Sequence, residues 1–175
     1  MMKQGFAIWI TGTPASGKSA VTKELVTRLS AKGYQVQVLE SDELRKILTP
    51  RPTYSEEERG WFYETVIYLG KMLTDNGVNV IFDATGNKRR YRDSARSQIE
   101  QFAEVYVKCP PEVCVKRDPK GIYRKAVEGK APTVPGLGSL YEEPLTPEVT
   151  TESDKETPAQ AADKILNWLK THWLS

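Results

Sequence analysis

GTPASGKS, residues 12–19, is the stretch that decides the fold of this chain. It follows the pattern G-x-x-x-x-G-K-S/T, in which two glycines let the backbone bend until consecutive N–H groups point at phosphate oxygens. In this pattern Lys18 reaches the outer phosphates and the hydroxyl of Ser19 holds Mg²⁺. The residues that we expect to surround a triphosphate are Gly12, Thr13, Pro14, Ala15, Ser16, Gly17, Lys18, Ser19 and Ala20.

The flanks of this loop have the periodicity that the pattern requires. Residues 6–10 form an apolar, strand-like run, and after the loop apolar residues recur at helical spacing, at Val21, Leu25, Val26 and Leu29. A strand, a glycine-rich loop and a helix N-terminus in this order make an anion site. The alternative is a Gly/Ser-rich turn that matches by chance, and the two correct flanks argue against it.

Composition favours one soluble domain over residues 1–175. The chain is 39% hydrophobic and 27% charged, and its net charge of +2 is too small to indicate a nucleic-acid surface. No apolar run approaches the roughly 20 residues of a membrane span. Cys109 and Cys114 stand without histidines nearby, as ordinary thiols of a reducing compartment do. We therefore expect a cytoplasmic protein without a membrane or nucleic-acid partner.

Strands and helices alternate along the chain. Strands are expected over 6–11, 34–39, 78–82 and 102–107, with a weaker one at 148–151. Helices are expected over 18–32, 42–48, 55–75, 89–101 and 111–117, and again from 158 onward. This order predicts an α/β fold of three layers, in which a parallel five-stranded sheet has helices on both faces.

The segment 117–147 is expected to be a lid or a mobile loop. Its second half, 129–147, is rich in Gly and Pro, and long stretches without regular structure are usually functional or mobile. A closing lid of cations would supply the charge that phosphoryl transfer needs. The simpler hypotheses are that the Gly/Pro-rich stretch is a connecting surface loop and that the cations lie on a solvated helix face. The cations in question are Lys116, Arg117, Lys120, Arg124 and Lys125.

Two carboxylates follow predicted strands. Because ligands of such sheets bind beyond the carboxyl ends of the strands, the phosphate loop, Asp42 and Asp83 should meet at one edge. Asp42 could accept the proton of an acceptor hydroxyl, and Arg45, three residues later, could grip an anionic acceptor. Asp83 is placed to hold Mg²⁺ with Ser19. Simpler roles stay open, with Asp42 as a helix N-cap and Asp83 as a turn former.

These features favour a small-molecule kinase over a switch GTPase or a motor ATPase. The chain is short and has no guanine-reading Asn-Lys-x-Asp. A carboxylate beside an arginine suits transfer of phosphate to an alcohol. The catalytic residues that we expect are Lys18, Asp42 and Arg45.

The segment Arg117-Asp118-Pro119-Lys120-Gly121-Ile122-Tyr123-Arg124-Lys125-Ala126 resembles the Arg-Asp-x-Lys-Gly-Leu-Tyr-Lys of the adenylylsulfate kinases. The likeness extends over nearly the whole chain. Residues 141–144 and 146–148 are similar to the steps beyond the lid of that family. Asp42 and Arg45 match the second Asp and the Arg of its Asp-Gly-Asp-Asn-x-Arg. Tyr54-Ser55 and Arg59 match its Phe-Ser and the Arg that follows.

The resemblance implies an enzyme that phosphorylates the ribose 3′-hydroxyl of adenosine phosphosulfate, with ATP and Mg²⁺. It also implies a phosphate-loop kinase fold, with ATP and a nucleotide-like acceptor as the partners. It implies that Arg117 binds ATP, whereas the metal-binding roles expected of Ser19 and Asp83 follow from the phosphate-loop pattern and from the position of Asp83 after a predicted strand. The residues expected to bind the acceptor are Asp42, Arg45, Tyr54, Arg59, Asp83 and Lys120.

Departures from the family pattern fall on the acceptor side. Tyr54 and Val134 stand where the family clamps the adenine between two Phe rings. The segment 83–89 is closer to kinases of polynucleotide ends and of other small hydroxyl compounds. A kinase of a different hydroxyl and a nucleotide-binding module without transferase activity therefore remain alternatives. A homodimer is also left open, because the final helix and the 62–73 stretch could each present an apolar surface.

Overall fold

The computed structural model describes residues 4–130, 134 and 140–174, and the elements in them are built on one parallel sheet. Its strands, in the spatial order β2-β3-β1-β4-β5, all run parallel to their neighbours. Their bounds are β1 (Ala7–Thr11), β2 (Val36–Glu40), β3 (Asn79–Asp83), β4 (Phe102–Lys108) and β5 (Val149–Glu152). The predicted parallel five-stranded sheet is confirmed.

Helices cover both faces of this sheet, as predicted. They are α1 (Lys18–Ser30), α2 (Ser41–Leu48), α3 (Glu56–Asp75), α4 (Arg89–Gln98), α5 (Pro111–Arg117), α6 (Ile122–Val127) and α7 (Pro158–His172). None of the helices in the described residues is long and apolar enough to cross a membrane.

The central strand β1 divides the core into two layers. Successive strand residues point to opposite faces. Ile8 and Ile10 accordingly pack on one face with the α1 residue Leu25 and with α7. On the other face Trp9 packs with Phe62 of α3 and with residues of α4. All five β1 residues are buried, which explains why the first four of them are apolar in succession.

The short helix α6 lies inside the region predicted to be a lid and was not predicted, because six residues are too few to display a helical repeat. Of the lid region 117–147, the structure describes 117–130, 134 and 140–147, and the rest lies outside the described residues. The helix α4 ends at Gln98 and not at residue 101, since Ile99 already has an extended backbone. The extent of the domain and the lid stay predictions.

Candidate active site

The loop between β1 and α1 has the shape of a phosphate cradle. Gly17 lies in the left-handed region with φ of 103°, and Ala15 shares that region with φ of 62°. At Gly12 a Cβ atom would approach both Ser16 Oγ and the carbonyl oxygen of Val107 to 2.6 Å, so only glycine fits there. Ser16 is fully buried, and its Oγ has no hydrogen-bond partner within the described part of the chain. The loop therefore fits a phosphate group.

Lys18 folds back over this loop. Its Nζ donates to the carbonyl oxygens of Gly12 and Thr13, both at 3.0 Å. Burial lowers the pKa of Lys18, and the carboxylates of Asp83 and Asp42 oppose that shift. A desolvated ammonium held at the loop interacts more strongly with an anion than one in bulk water would.

A cavity of about 320 Å³ brings most of the predicted residues together. It lies beyond the carboxyl ends of β1, β2 and β3, where Asp83 pairs in register with both Ile10 and Glu40. The predicted meeting of the phosphate loop, Asp42 and Asp83 at one edge of the sheet is confirmed. The cavity is lined by Pro14, Ala15, Gly17, Lys18, Ser19, Ala20, Glu40, Ser41, Asp42, Asp83, Thr85, Arg117, Asp118, Pro119, Lys120 and Ile122.

Asp83 is the buried carboxyl group of this cavity. Burial raises the pKa of Asp83, while Lys18 and the hydroxyls of Ser19 and Thr22 oppose the shift. The described residues hold no group of three or more His, Cys, Asp or Glu side chains that could bind a metal ion. Mg²⁺ does not need such a group, because it is commonly held by one or two protein oxygens together with water and substrate phosphates. Ser19 and Asp83 offer oxygens of that kind.

The loop after Asp83 is fixed from below. Trp9 Nε1 donates to the carbonyl oxygen of Ala84 at 3.0 Å, and the N–H of Gly86 donates to the hydroxyl of Tyr63 at 3.0 Å. At Gly86, with φ of 51°, a Cβ atom would lie 2.8 Å from the indole ring of Trp9. Both aromatic rings belong to the buried core on one face of the sheet, so the loop that follows Asp83 is hydrogen-bonded to core side chains.

Glu40, and not Asp42, caps the helix α2. The carboxylate of Glu40 accepts the N–H groups of Asp42 at 3.1 Å and of Glu43 at 3.0 Å. The alternative that gave Asp42 the N-cap role is wrong, because the helix begins one residue earlier, at Ser41. Asp42 forms an ion pair with Lys120 instead. Partial burial lowers the pKa of Lys120, but the hydrogen bond to Asp42 and the nearby carboxylates raise it overall.

The segment after α5 is tied to the phosphate loop. The hydroxyl of Tyr123 donates to the carbonyl oxygen of Pro14 at 2.7 Å, and the side chain of Asp118 accepts the Tyr123 N–H at 3.1 Å. Arg117 donates two hydrogen bonds to Ser153, from Nη1 to the hydroxyl oxygen of Ser153 at 3.1 Å and from Nη2 to its carbonyl oxygen at 2.7 Å. Val134 is buried in a small cluster with Cys114 and Tyr123, and Ala15 of the phosphate loop packs against it.

A second cluster brings together the predicted acceptor residues that do not line this cavity, Arg45, Tyr54 and Arg59. The guanidinium carbon of Arg45 lies 3.9 Å from the ring centroid of Phe62 and 5.0 Å from that of Tyr54. Arg59 lies 5.6 Å from the Tyr54 ring and donates from Nε to the Tyr54 carbonyl oxygen at 3.0 Å. None of these residues lines the first cavity. Helix α2 joins the two clusters, since it carries both Asp42 and Arg45.

Sequence patterns did not assign several residues that shape this site. They are Thr22, Glu40, Glu58, Tyr123 and Ser153. Thr22 follows Ser19 by three residues, a spacing that puts both hydroxyls on one face of α1. Ser153 gave no signal, because its contact with Arg117 joins residues 36 positions apart.

Comparison with known proteins places this geometry in context. A family profile described as adenylylsulphate kinase matches residues 4–152. A Pyrococcus abyssi protein named probable adenylyl-sulfate kinase is 41% identical over 167 residues, which cover 95% of this chain and 96% of that protein. An Archaeoglobus fulgidus protein of the same name is 42% identical over 150 residues, covering 86% of this chain and 97% of the relative.

A solved structure is similar over the same extent. It is the Mycobacterium tuberculosis APS kinase CysC in complex with AMPPNP and APS. Its TM-score against this chain is 0.89 at 29% sequence identity, and the match covers 95% of this chain and 98% of that one. The likeness therefore includes the sheet, the phosphate loop and the elements around the cavity.

Proposed function

The chain belongs to the adenylylsulphate kinase family, whose members are ATP-dependent kinases, and we propose that it transfers the γ-phosphoryl group of ATP to the ribose 3′-hydroxyl of adenylyl sulfate. The observation that carries this proposal is the meeting of the phosphate loop, Asp83 and Asp42 around one cavity. A triphosphate held at the N-terminus of α1 would direct its last phosphate toward these carboxylates.

On the donor side, the chain supplies positioning and charge. The loop N–H groups and Lys18 would hold the β- and γ-phosphates, and Arg117 would contact the nucleotide from the other side of the cavity. Ser19 and Asp83 would hold Mg²⁺, which neutralises the charge that develops on the phosphate oxygens. Phosphoryl transfer depends mainly on such positioning and charge stabilisation.

On the acceptor side, Asp42 would accept the hydroxyl proton as the acceptor oxygen bonds to the γ-phosphorus and the bond to the β–γ bridging oxygen breaks. The products are ADP and the phosphorylated acceptor. Lys120 would stabilise the negative charge beside Asp42. Arg45 and Arg59 would hold the anionic phosphosulfate group, and the ring of Tyr54 would stack against the adenine.

The test is acceptor-dependent release of ADP from the purified protein. We expect turnover with adenylyl sulfate and with its 2′-deoxy analogue, and none with the 3′-deoxy analogue. AMP, which lacks the sulfate, separates recognition of the anionic group from recognition of the nucleoside. If adenylyl sulfate supports no turnover while a sugar or an RNA 5′-hydroxyl end does, the acceptor assignment is wrong and the kinase assignment stands.

We further propose that this protein acts in the cytoplasm on nucleotides and not on nucleic acid, as one domain over residues 1–175 in which 117–147 closes over bound substrates. The weak net charge of +2 supports the proposal that the protein does not act on nucleic acid. RNA binding that falls steeply with added salt would contradict it. Protection of 117–147 from proteolysis by ATP together with the acceptor would support the closure.

We also propose a homodimer through the outer face of α3. Trp61, Tyr68 and Met72 recur at helical spacing on that helix and are 50%, 64% and 45% exposed. An exposed apolar stripe of this kind is typical of an interaction surface. Sedimentation of wild type and of Trp61→Glu would test it, with a shift of the variant toward the monomer as the expected result.

A further inference from the structure

Tyr54 has a strained backbone. Its φ of 55° lies in the left-handed region, which bulky residues rarely adopt, and Ala15 is the only other non-glycine residue of the described part of the chain that lies in this region. Such strain persists only where the surroundings impose it, and it concentrates at functional sites. Ala15 belongs to the phosphate loop. The strain at Tyr54 therefore calls for an explanation of its own.

Two neighbouring side chains of α3 impose this conformation. The carboxylate of Glu58 accepts the N–H of Tyr54 at 3.0 Å, and it also accepts the N–H of Thr53 at 2.7 Å and its hydroxyl at 2.9 Å. Arg59 Nε donates to the Tyr54 carbonyl oxygen at 3.0 Å. The peptide groups on both sides of Tyr54 are thus held by consecutive residues of one helix.

Helix capping alone does not account for Glu58. Ser55 caps α3 by accepting the N–H of Glu58 at 3.1 Å. In an ordinary capping box the Glu carboxylate would return to the N–H of the capping residue. Here the Ser55 N–H donates to the Thr53 hydroxyl at 3.3 Å, and the carboxylate reaches one and two residues further back. One of the two N–H groups that the Glu58 carboxylate accepts therefore belongs to Tyr54, the residue with the strained backbone.

Glu58 also lies within the cluster around the Tyr54 ring. Its Oε1 is 3.6 Å from Arg45 Nη1, and the two side chains are only 17% and 11% exposed. Burial would raise the pKa of Glu58, but the N–H groups of Thr53 and Tyr54 hold it below its usual value. The carboxylate is therefore ionised at neutral pH and can accept all of its hydrogen bonds.

We infer that Glu58 is a positioning residue that fixes Tyr54 as the aromatic wall of the acceptor site, a role that rests on the proposed function. The Tyr54 side chain is bordered by the guanidinium groups of Arg45 and Arg59 and remains 41% exposed. Glu58 acts through Tyr54 and does not itself touch the acceptor. Its loss should weaken binding of the acceptor and leave binding of ATP unchanged.

The first test follows backbone amide exchange in the ligand-free protein. The N–H groups of Thr53 and Tyr54 donate to different oxygens of Glu58, and Glu58→Gln replaces one of these oxygens by an NH₂ donor that faces an N–H group. We expect the amides of Thr53 and Tyr54 to exchange about tenfold faster or more. The matched control is Glu57→Gln, an exposed neighbour in the same helical turn. Equal exchange in wild type and Glu58→Gln would overturn the inference.

The second test separates the two substrates in steady-state kinetics. In Glu58→Gln we expect the KM for adenylyl sulfate to rise about tenfold, which corresponds to about 1.4 kcal/mol, while the KM for ATP stays within about twofold. A loss of folded protein would lower the active fraction and leave both KM values unchanged, whereas a general distortion of the site would raise both. A parallel rise of both KM values would therefore contradict a positioning role.

A double-mutant cycle tests whether Glu58 acts through Tyr54 or through the charge of Arg45. In a Tyr54→Ala background, the effect of Glu58→Gln on the acceptor KM should shrink to less than about twofold. An undiminished effect would mean that Glu58 works through Arg45, and the inference would fail. If wild type does not turn over adenylyl sulfate, the proposed function fails, and the exchange comparison still decides whether Glu58 holds Tyr54.

Discussion

An ion pair between Lys120 and Asp42 connects the turn that follows α5 to the first turn of α2, across the cavity that contains Lys18. The two residues are 78 positions apart, and both side chains are about half exposed, at 56% and 51%. Exposed ion pairs contribute little to folding stability. The main effect of the pair is therefore on position, because it keeps the charged groups of Asp42 and Lys120 next to each other at the cavity.

Replacing Lys120 by Met should lower kcat while leaving the protein folded. The variant loses the cation that we propose to lie beside the transferred phosphate, and loss of one such stabilising group costs about 10²–10³ in kcat. Because the pair with Asp42 is half exposed, we expect the thermal unfolding midpoint to change little. Initial rates at saturating ATP and acceptor, together with a thermal melt, measure both quantities.

The control for this variant is Lys116→Met, since Lys116 is an exposed cation on α5 that does not line the cavity. It should retain wild-type kcat. An equal loss of activity in both variants would point to a general effect of positive charge and would remove the specific role of Lys120.

Lys18→Ala should abolish turnover without unfolding the protein. Burial lowers the pKa of Lys18, which means that the charged ammonium is less favourable in the folded protein than in the unfolded chain. Removing this ammonium should therefore not lower the free energy of unfolding through electrostatics. We expect kcat to fall by about three orders of magnitude or more. Lys23→Ala, on the exposed side of the same helix, serves as the control. Substantial activity in Lys18→Ala would be incompatible with a phosphate-binding role for the loop.

The parallel sheet could be predicted because β1 and α1 carry strong local signals. The buried strand Ala7–Thr11 begins with four apolar residues in succession, and Val21, Leu25 and Leu29 recur along one face of α1. Residues that end parallel strands meet at one edge whatever the loops do. For that reason the convergence of Asp42 and Asp83 with the phosphate loop followed from strand order alone.

The acceptor side could be predicted only in part. Arg45, Tyr54 and Arg59 were expected there, but no periodicity shows that Tyr54 takes a left-handed backbone or that Glu58 reaches back to hold it. The cap of α2 was missed for a similar reason. Glu40 is the last residue of a strand, and its side chain could be read equally well as part of the sheet edge.

The raised pKa of Asp83 predicts an acid limb in the pH profile that depends on magnesium. Burial makes the protonated form of Asp83 more favourable, so, if Asp83 holds Mg²⁺ as proposed, protons should compete with the metal at a higher pH than for an ordinary Asp. We expect kcat/KM for ATP to fall as the pH drops through this raised value. A tenfold increase in magnesium should move the limb to lower pH by up to about one unit.

Asp83→Asn separates metal binding from stability. The folded protein prefers a protonated Asp83, so this group's contribution to stability declines as pH rises from the unfolded pKa to the folded one. At neutral pH the neutral Asn should therefore melt no lower than wild type, although magnesium activation is lost. An acid limb that ignores the magnesium concentration would argue against Asp83 as a metal ligand.

Arg92 ties three segments together inside the protein, and its loss should be strongly destabilising. Its guanidinium donates to the carbonyl oxygens of Gly86 and Glu142. It also donates to the carboxylate of Glu104, where Arg92 Nε lies 2.5 Å from Glu104 Oε1. Arg92 is 1% exposed. In Arg92→Met the carboxylate of Glu104 stays buried without this partner, which costs about 3–5 kcal/mol in the free energy of unfolding.

The pH dependence of this loss identifies its cause. Burial already raises the pKa of Glu104, and Arg92 opposes that shift, so Arg92→Met should raise it further. A raised folded pKa means that stability is lost as pH rises, and the deficit of the variant should therefore shrink toward acid pH. The double variant Arg92→Met/Glu104→Met removes the unpaired charge and should recover most of the unfolding free energy, as measured by chemical denaturation. A deficit that is independent of pH, and that persists in the double variant, would show that the contacts of Arg92 with Gly86 and Glu142 carry the stability and that its charge does not.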